Sequence, residues 1–199
     1  MTRNCVVGIS GGIGSGKSVV SRILRCNDYK VFDCDYEAKI IMTEEDNVVK
    51  EIKDLFGEDS FDKDGYLNKK FISEKIFKDG KLRAALNDIV HSRVKDHLET
   101  FILQNPDICF VESAILFSSG ISNYCTIVWE VEADIETRIS RVKKRNNLSE
   151  EEIKKRMESQ NIENEIPTSL KKIKIDNNGK KPLIPCINKE LKKLTETYA

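Results

Sequence analysis

The chain has 199 residues, 39% hydrophobic and 33% charged, the profile of an ordinary globular protein with one large domain that has room for insertions. Thirty-three Lys and Arg residues against 33 Asp and Glu leave a formal net charge of zero. That argues against bulk electrostatic capture of nucleic acid or an anionic membrane, leaving only local basic patches for such work.

CVVGIS, from Cys5, is short, β-branched and ends at glycines, as a buried strand should. After the segment GGIGSGKS comes SVVSRILRC, with apolar Val19, Val20, Ile23 and Leu24 at helical spacing. YKVFDCD is a second short strand that ends in acid at Asp33 and Asp35. Strand, loop, helix, strand begins a βαβ unit and predicts an α/β fold with a parallel sheet. Residues 36–104 read as helical and charge-rich, interrupted by the turn-like GEDSFDKDGY from Gly57 to Tyr66. ICFVE (Ile108–Glu112) and TIVWEV (Thr126–Val131) return to the sheet, with the loop SAILFSSG after the first of them. DIETRISRVKKRNNLSEEEIKKRMESQ predicts two helices broken near Asn146 and Asn147, with Ser149 and Glu152 spaced as a capping box. KKIKIDNNG is a last strand and turn, and INKELKKLTETY a closing helix. No repeat or low-complexity linker divides the chain. The expectation is a single domain: a core of about 1–35, 106–134 and 170–199, a helical insert of about 36–105 and a lid of about 138–160.

The six cysteines stand singly, with no C-x-x-C pair to mark a zinc ribbon or a redox site. Cys5, Cys109 and Cys125 sit in apolar runs, where a free thiol serves as a small core residue. Reduced thiols, the lack of the ~18 apolar residues a membrane span needs, and an N-terminus without room for a signal peptide predict a cytoplasmic protein.

Gly11-x-x-x-x-Gly16-Lys17-Ser18 fits the P-loop pattern at every required position, with a strand before it and a helix after it. Glycines let successive backbone N–H groups turn inward around phosphate oxygens, and the helix adds the positive end of its dipole. Gly12, Ile13, Gly14, Ser15, Gly16, Lys17 and Ser18, with Val19 after them, are the candidate ATP contacts. Lys17 should reach the β- and γ-phosphates, and the Ser18 hydroxyl should ligate Mg2+.

P-loops serve kinases, GTPases and motor ATPases alike, so the neighbouring residues must decide. Two apart at a strand end, Asp33 and Asp35 should share a face at the edge where parallel sheets bind ligands. There an aspartate can orient an attacking hydroxyl and take its proton late in phosphoryl transfer. Glu112, ending ICFVE, is placed to hold a Mg2+-bound water. Arg138, Arg141 and Arg145 form one helix face, either a solvated stripe or a set of cations closing over ATP. His91 lies within a helical apolar stripe, and His97 has no motif. DKDG (Asp62–Gly65) imitates a GTPase switch, but no strand leads into it and it lacks the EF-hand ligand series. The guanine signature N-K-x-D is absent, since NKKF and NKEL both lack the aspartate.

Taken together these segments resemble the dephospho-coenzyme A kinase family nearly end to end. GISGGIGSGKS and VFDCD resemble its P-loop and D-A-D signature, with Cys34 in place of alanine. DIVHSRV resembles its L-x-x-I-H-P segment, with Ser92 in place of proline. ESAILFSSG resembles D-x-P-L-L-F-E, although Glu112, Ala114 and Ser118 replace the usual aspartate, proline and glutamate. RISRVKKRNNLSEEEIKKRMESQ is similar to its lid, and IDNNG to its N-x-G turn near the adenine site. After Gln160 the family's arginine and A-D pair are missing.

The resemblance implies a five-stranded parallel sheet, a helical coenzyme-binding lobe and an ATP lid. It also implies transfer of the ATP γ-phosphoryl group to the ribose 3′-hydroxyl of dephospho-coenzyme A, with ATP and Mg2+. On that mapping Asp35 accepts the hydroxyl proton, and Asp33, Asp35 and His91 meet the acceptor. Lys17 and Arg141 act on the transferred group, Arg145 binds ATP, and Ser18 and Glu112 serve the metal. The expected partner is that small molecule alone, with no nucleic acid or membrane, for a monomer or small homo-oligomer. A nucleoside or nucleoside monophosphate kinase is the nearest alternative, and a nucleotide-dependent switch protein the alternative of another class.

Overall fold

The computed structural model describes residues 5–146, 149–163 and 170–198. It divides into two compact units: Met1–Asp33 with Phe101–Ala199, and Cys34–Thr100.

The first unit is built on five parallel strands, as expected: β1 (Cys5–Ser10), β2 (Lys30–Asp33), β3 (Ile108–Glu112), β4 (Ile127–Glu132) and β5 (Lys171–Asp176), in the order β2-β3-β1-β4-β5. β1 is buried along its whole length, which suits a central strand covered on both faces. Cys5, Val7 and Ile9 join Phe110, Ile127, Trp129, Val131 and Ile175 in one apolar layer. Onto it pack Val20 and Leu24 of helix α1 (Lys17–Cys26) and Ile187, Leu191 and Leu194 of the C-terminal helix (Leu183–Tyr198). Inside this layer Phe110 meets Trp129 edge-on, ring centroids 5.3 Å apart. The lysine-rich β5 is an edge strand whose Lys172 and Lys174 pair with Glu130 and Glu132 of β4, so its charge is spent on the sheet's own border. β2 and β3 lie to one side of β1 and β4 and β5 to the other, so the chain reverses direction across the sheet at β1. In open α/β sheets ligands bind in the crevice at such a switch point, beyond the strand C-termini.

The cysteines are all free thiols, and Cys5, Cys109 and Cys125 are buried. Among the described residues no helix is long and apolar enough to cross a membrane.

Two helices follow β4 in sequence, α6 (Ile135–Asn146) and α7 (Glu150–Glu163). Their predicted capping box forms: the Ser149 N–H donates to Glu152 Oε2 at 2.9 Å, and the Glu152 N–H donates to Ser149 Oγ at 3.2 Å. Asn147, in the expected break, lies outside the described residues, as do residues 164–169 of the stretch after Gln160. The closing helix begins at Leu183, earlier than expected; Pro185 is tolerated in its first turn, where no N–H is needed.

The second unit contains α2 (Cys34–Glu44), α3 (Asp46–Phe56), α4 (Lys69–Lys78) and most of α5 (Gly80–Gln104). Val48, Ile52 and Phe56, like Val90, Val94 and Leu98, recur every four residues and are buried, the apolar stripe of a core-facing helix. DKDG is a turn: the Asp62 carboxylate accepts from the N–H groups of Asp64 (3.0 Å) and Tyr66 (2.8 Å). His97, without a motif, sits between Glu37 of α2 (3.3 Å) and Glu45 at the start of α3 (2.9 Å), tying α5 to both.

Candidate active site

The loop after β1 has the backbone its glycines predict. Gly11 and Gly16 hold φ of +143° and +101°, a region that L side chains avoid. Contact reinforces conformation here. A Cβ on Gly11 would lie 2.4 Å from the Val131 carbonyl oxygen, and one on Gly16 would lie 2.1 Å from Asn177 Nδ2. The Ser15 N–H donates back to the Gly12 carbonyl at 3.1 Å, curling the loop. Gly16 caps α1, so Lys17 and Ser18 occupy its first turn, where N–H groups point out of the helix end. The Lys17 ammonium spans the loop to the Gly11 carbonyl at 2.6 Å. Ser18 and Val19 are exposed, and Lys17 is half-buried. These groups form a concave, positively biased cradle that fits a polyphosphate.

Three side chains hold the loop from its carbonyl side. Arg138 Nε donates to the Ile13 carbonyl at 2.8 Å. Arg141 Nη1 approaches the Gly14 and Ser15 carbonyls at 3.4 and 3.3 Å, while its Nη2 donates to the Asn177 carbonyl at 2.8 Å. Asn177 Nδ2 donates to the Ser15 carbonyl at 2.8 Å, and the Asn177 N–H to the Glu132 carbonyl at the end of β4. Ile13 packs against the apolar cluster of Ile139, Val142, Ile153 and Met157, so α6 and α7 also grip the loop through its one large side chain. Arg138 and Arg141 of the predicted stripe thus meet the loop directly; Arg145, one turn on, is exposed. Sequence reasoning placed Arg138 only in the arginine stripe over ATP and Asn177 only in the late N-x-G turn, and missed that both hold carbonyls of the loop. The available signals were the i, i+3 spacing of Arg138 and Arg141 and the N-x-G turn.

Glu112 and Asp33 are register partners at the ends of β3 and β2, and Glu112 is also opposite Ile9 of β1, just before the loop. Glu112 is buried and Asp33 half-buried. A buried carboxylate beside the loop suits a hard cation such as Mg2+, which prefers oxygen ligands.

The expected pairing of Asp33 with Asp35 on one strand end needs correction. β2 stops at Asp33, and Cys34 already opens α2, so a period of two no longer relates the acids. Asp35 stands exposed in the first turn of α2, where the helix dipole favours a carboxylate. It belongs to the second unit, as does His91, half-buried on α5 between the buried Val90 and Val94. Burial, with Lys95 nearby, pulls the His91 pKa below its ordinary value, opposed by Asp88, so the imidazole is neutral at pH 7. The first unit therefore gathers Lys17, Ser18, Asp33, Glu112 and Arg141, while Asp35 and His91 come from the second.

Residues 5–182 match the family model described as dephospho-CoA kinase. A dephospho-CoA kinase of Bacteroides fragilis (strain YCH46) is 38% identical over 183 residues, covering 91% of this chain and 88% of that protein. One of Porphyromonas gingivalis (strain ATCC BAA-308 / W83) is 39% identical over 158 residues, 79% of this chain and 78% of that protein. Among solved structures, TT1252 from Thermus thermophilus superposes with a TM-score of 0.78 at 27% identity, covering 99% of both chains. The dephospho-CoA kinase from Campylobacter jejuni shares the fold at 22% identity, with a TM-score of 0.66 over 98% of both. A phosphate loop of this form, within a chain matched from β1 to the closing helix, has one reading: the protein belongs to the dephospho-CoA kinase family.

Proposed function

We infer that this chain is an ATP-dependent kinase that moves the γ-phosphoryl group of ATP to the ribose 3′-hydroxyl of dephospho-CoA, the last step of coenzyme A synthesis. The carrying observation is the match over residues 5–182, which includes the P-loop, the acids, the lid and the late turn. In the reaction the acceptor oxygen bonds to Pγ, the bond from Pγ to the β,γ-bridging oxygen breaks, and ADP leaves with that electron pair. Asp35 orients the hydroxyl and takes its proton, as a loose transition state asks of a weak base. Lys17 and the N–H groups of the loop and of Ser18 hold the β- and γ-phosphates. Arg141 acts through the loop carbonyls it binds, and Arg145 meets ATP from the lid. Asp33 and the neutral His91 contact the acceptor. Ser18 and Glu112 would hold Mg2+, which when bound offsets charge on the phosphate oxygens. The protein works in the cytoplasm, without nucleic acid, as a monomer or small homo-oligomer; light scattering reads that state.

Incubation with ATP, Mg2+ and dephospho-CoA, followed by chromatography, should yield equal amounts of ADP and coenzyme A. No turnover of dephospho-CoA, with phosphorylation of a nucleoside or nucleoside monophosphate instead, would sink this reading.

A further inference from the structure

The P-loop pattern requires glycine at 11 and 16 and leaves position 12 open, yet position 12 is glycine here. The reason lies behind the loop. A Cβ on Gly12 would come within 2.2 Å of Arg138 Nη2 and 2.8 Å of its Cζ, so any side chain there would push the guanidinium out of this position. Arg138 donates from Nε to the Ile13 carbonyl at 2.8 Å, which packs the cation against two consecutive loop residues. Nη2 is buried and has no hydrogen-bond partner among the described residues. Burial lowers the Arg138 pKa, although the group stays charged at neutral pH. Among the described residues no carboxylate forms an ion pair with this half-buried cation, and burying part of a cation without an anion opposite it is costly unless something else supplies the charge.

The peptide geometry says what it supplies in return. In a trans peptide the C=O and the next N–H point in opposite directions, and no described peptide is cis. Holding the Ile13 carbonyl from behind therefore turns the Gly14 N–H to the front. The Ser15 carbonyl, held by Asn177 and Arg141, does the same for the Gly16 N–H.

We propose that Arg138 is a positioning residue of the phosphate loop: it locks the Ile13–Gly14 peptide so that the Gly14 N–H faces the polyphosphate, whose charge in turn compensates the guanidinium. This rests on the reading of the loop as the ATP site. Arg138 touches no reacting atom and acts through the peptide it holds and through its field.

The test is isothermal titration of the full chain with ATP and, separately, AMP, together with steady-state kinetics. Arg138→Met should weaken ATP about tenfold, the factor that ~1.4 kcal/mol produces, and raise the KM for ATP to match. AMP affinity and the KM for dephospho-CoA should stay within about twofold, and Arg138→Lys, which keeps the charge and a donor, should recover most of the loss. Should Arg138→Met fail to fold, Arg138→Gln carries the same comparison. ATP affinity unchanged in the variant, or ATP and AMP weakened alike, would overturn the proposal. A wild-type chain that binds no ATP would instead remove the function reading beneath it.

Discussion

Asn177→Ala tests how the late turn supports catalysis. The Asn177 side chain is 9% exposed, and its Nδ2 donates to the Ser15 carbonyl at 2.8 Å while packing directly on Gly16. Truncation removes that donor and opens a void the size of an amide beneath the loop. The Ser15 carbonyl is not orphaned, since Arg141 Nη1 stays at 3.3 Å, and Arg141 Nη2 still finds the Asn177 backbone carbonyl. The loss is therefore that of one well-formed hydrogen bond and its packing, about 1–2 kcal/mol, rather than the larger penalty of a buried group left bare. For a chain of this size it lowers the melting temperature by about 2–8 °C. Thermal unfolding by circular dichroism, without nucleotide, reads this directly. Asn177→Asp separates packing from bonding, because it fills the space but presents an acceptor to an acceptor; it should destabilise at least as much. Titration of both variants with ATP should show weakened binding, because the Gly16 N–H loses its fixed orientation. A melting temperature within 1 °C of wild type together with unchanged ATP affinity would refute the argument (a ~1 kcal/mol loss cannot hide in so small a shift).

Three further outcomes are expected. Asp35→Asn should lower kcat by about 10²–10⁴-fold, the range typical of a lost general base, while ATP binds as before; near-normal turnover removes Asp35 from the proton step. Glu112→Gln should raise the Mg2+ concentration needed for half-maximal rate severalfold, and an unchanged Mg2+ dependence would assign the buried carboxylate to structure alone. Burial raises the Cys5 and Cys109 pKa to about 11 and that of Cys125 to about 12, so at pH 8 these thiols are almost wholly protonated. Iodoacetamide followed by mass spectrometry should label the exposed Cys26 and spare those three until the chain is denatured; early labelling of Cys125 would contradict its burial.

The sequence by itself determined everything whose cause is local. A β-branched run before glycines makes β1, apolar spacing makes α1, and Ser149 with Glu152 three residues on makes a capping box, because each depends only on neighbours within a turn. The phosphate loop was legible for the same reason: its glycines, lysine and serine act within eight residues. Tertiary structure decided what distant residues do to that loop. Asn177 is 162 positions from Ser15 and Arg138 is 125 from Ile13, and no periodicity encodes which carbonyl a donor will find. The Asp33–Asp35 relation shows the limit in miniature, since a helix starting at Cys34 overrides the strand period for one of two acids only two residues apart. His97 likewise gained its carboxylate partners only when α5 lay against α2 and α3. Local chemistry thus writes a phosphate cradle into eight residues, but the orientation of its peptides is set by side chains that only the folded sheet and its helices can bring there.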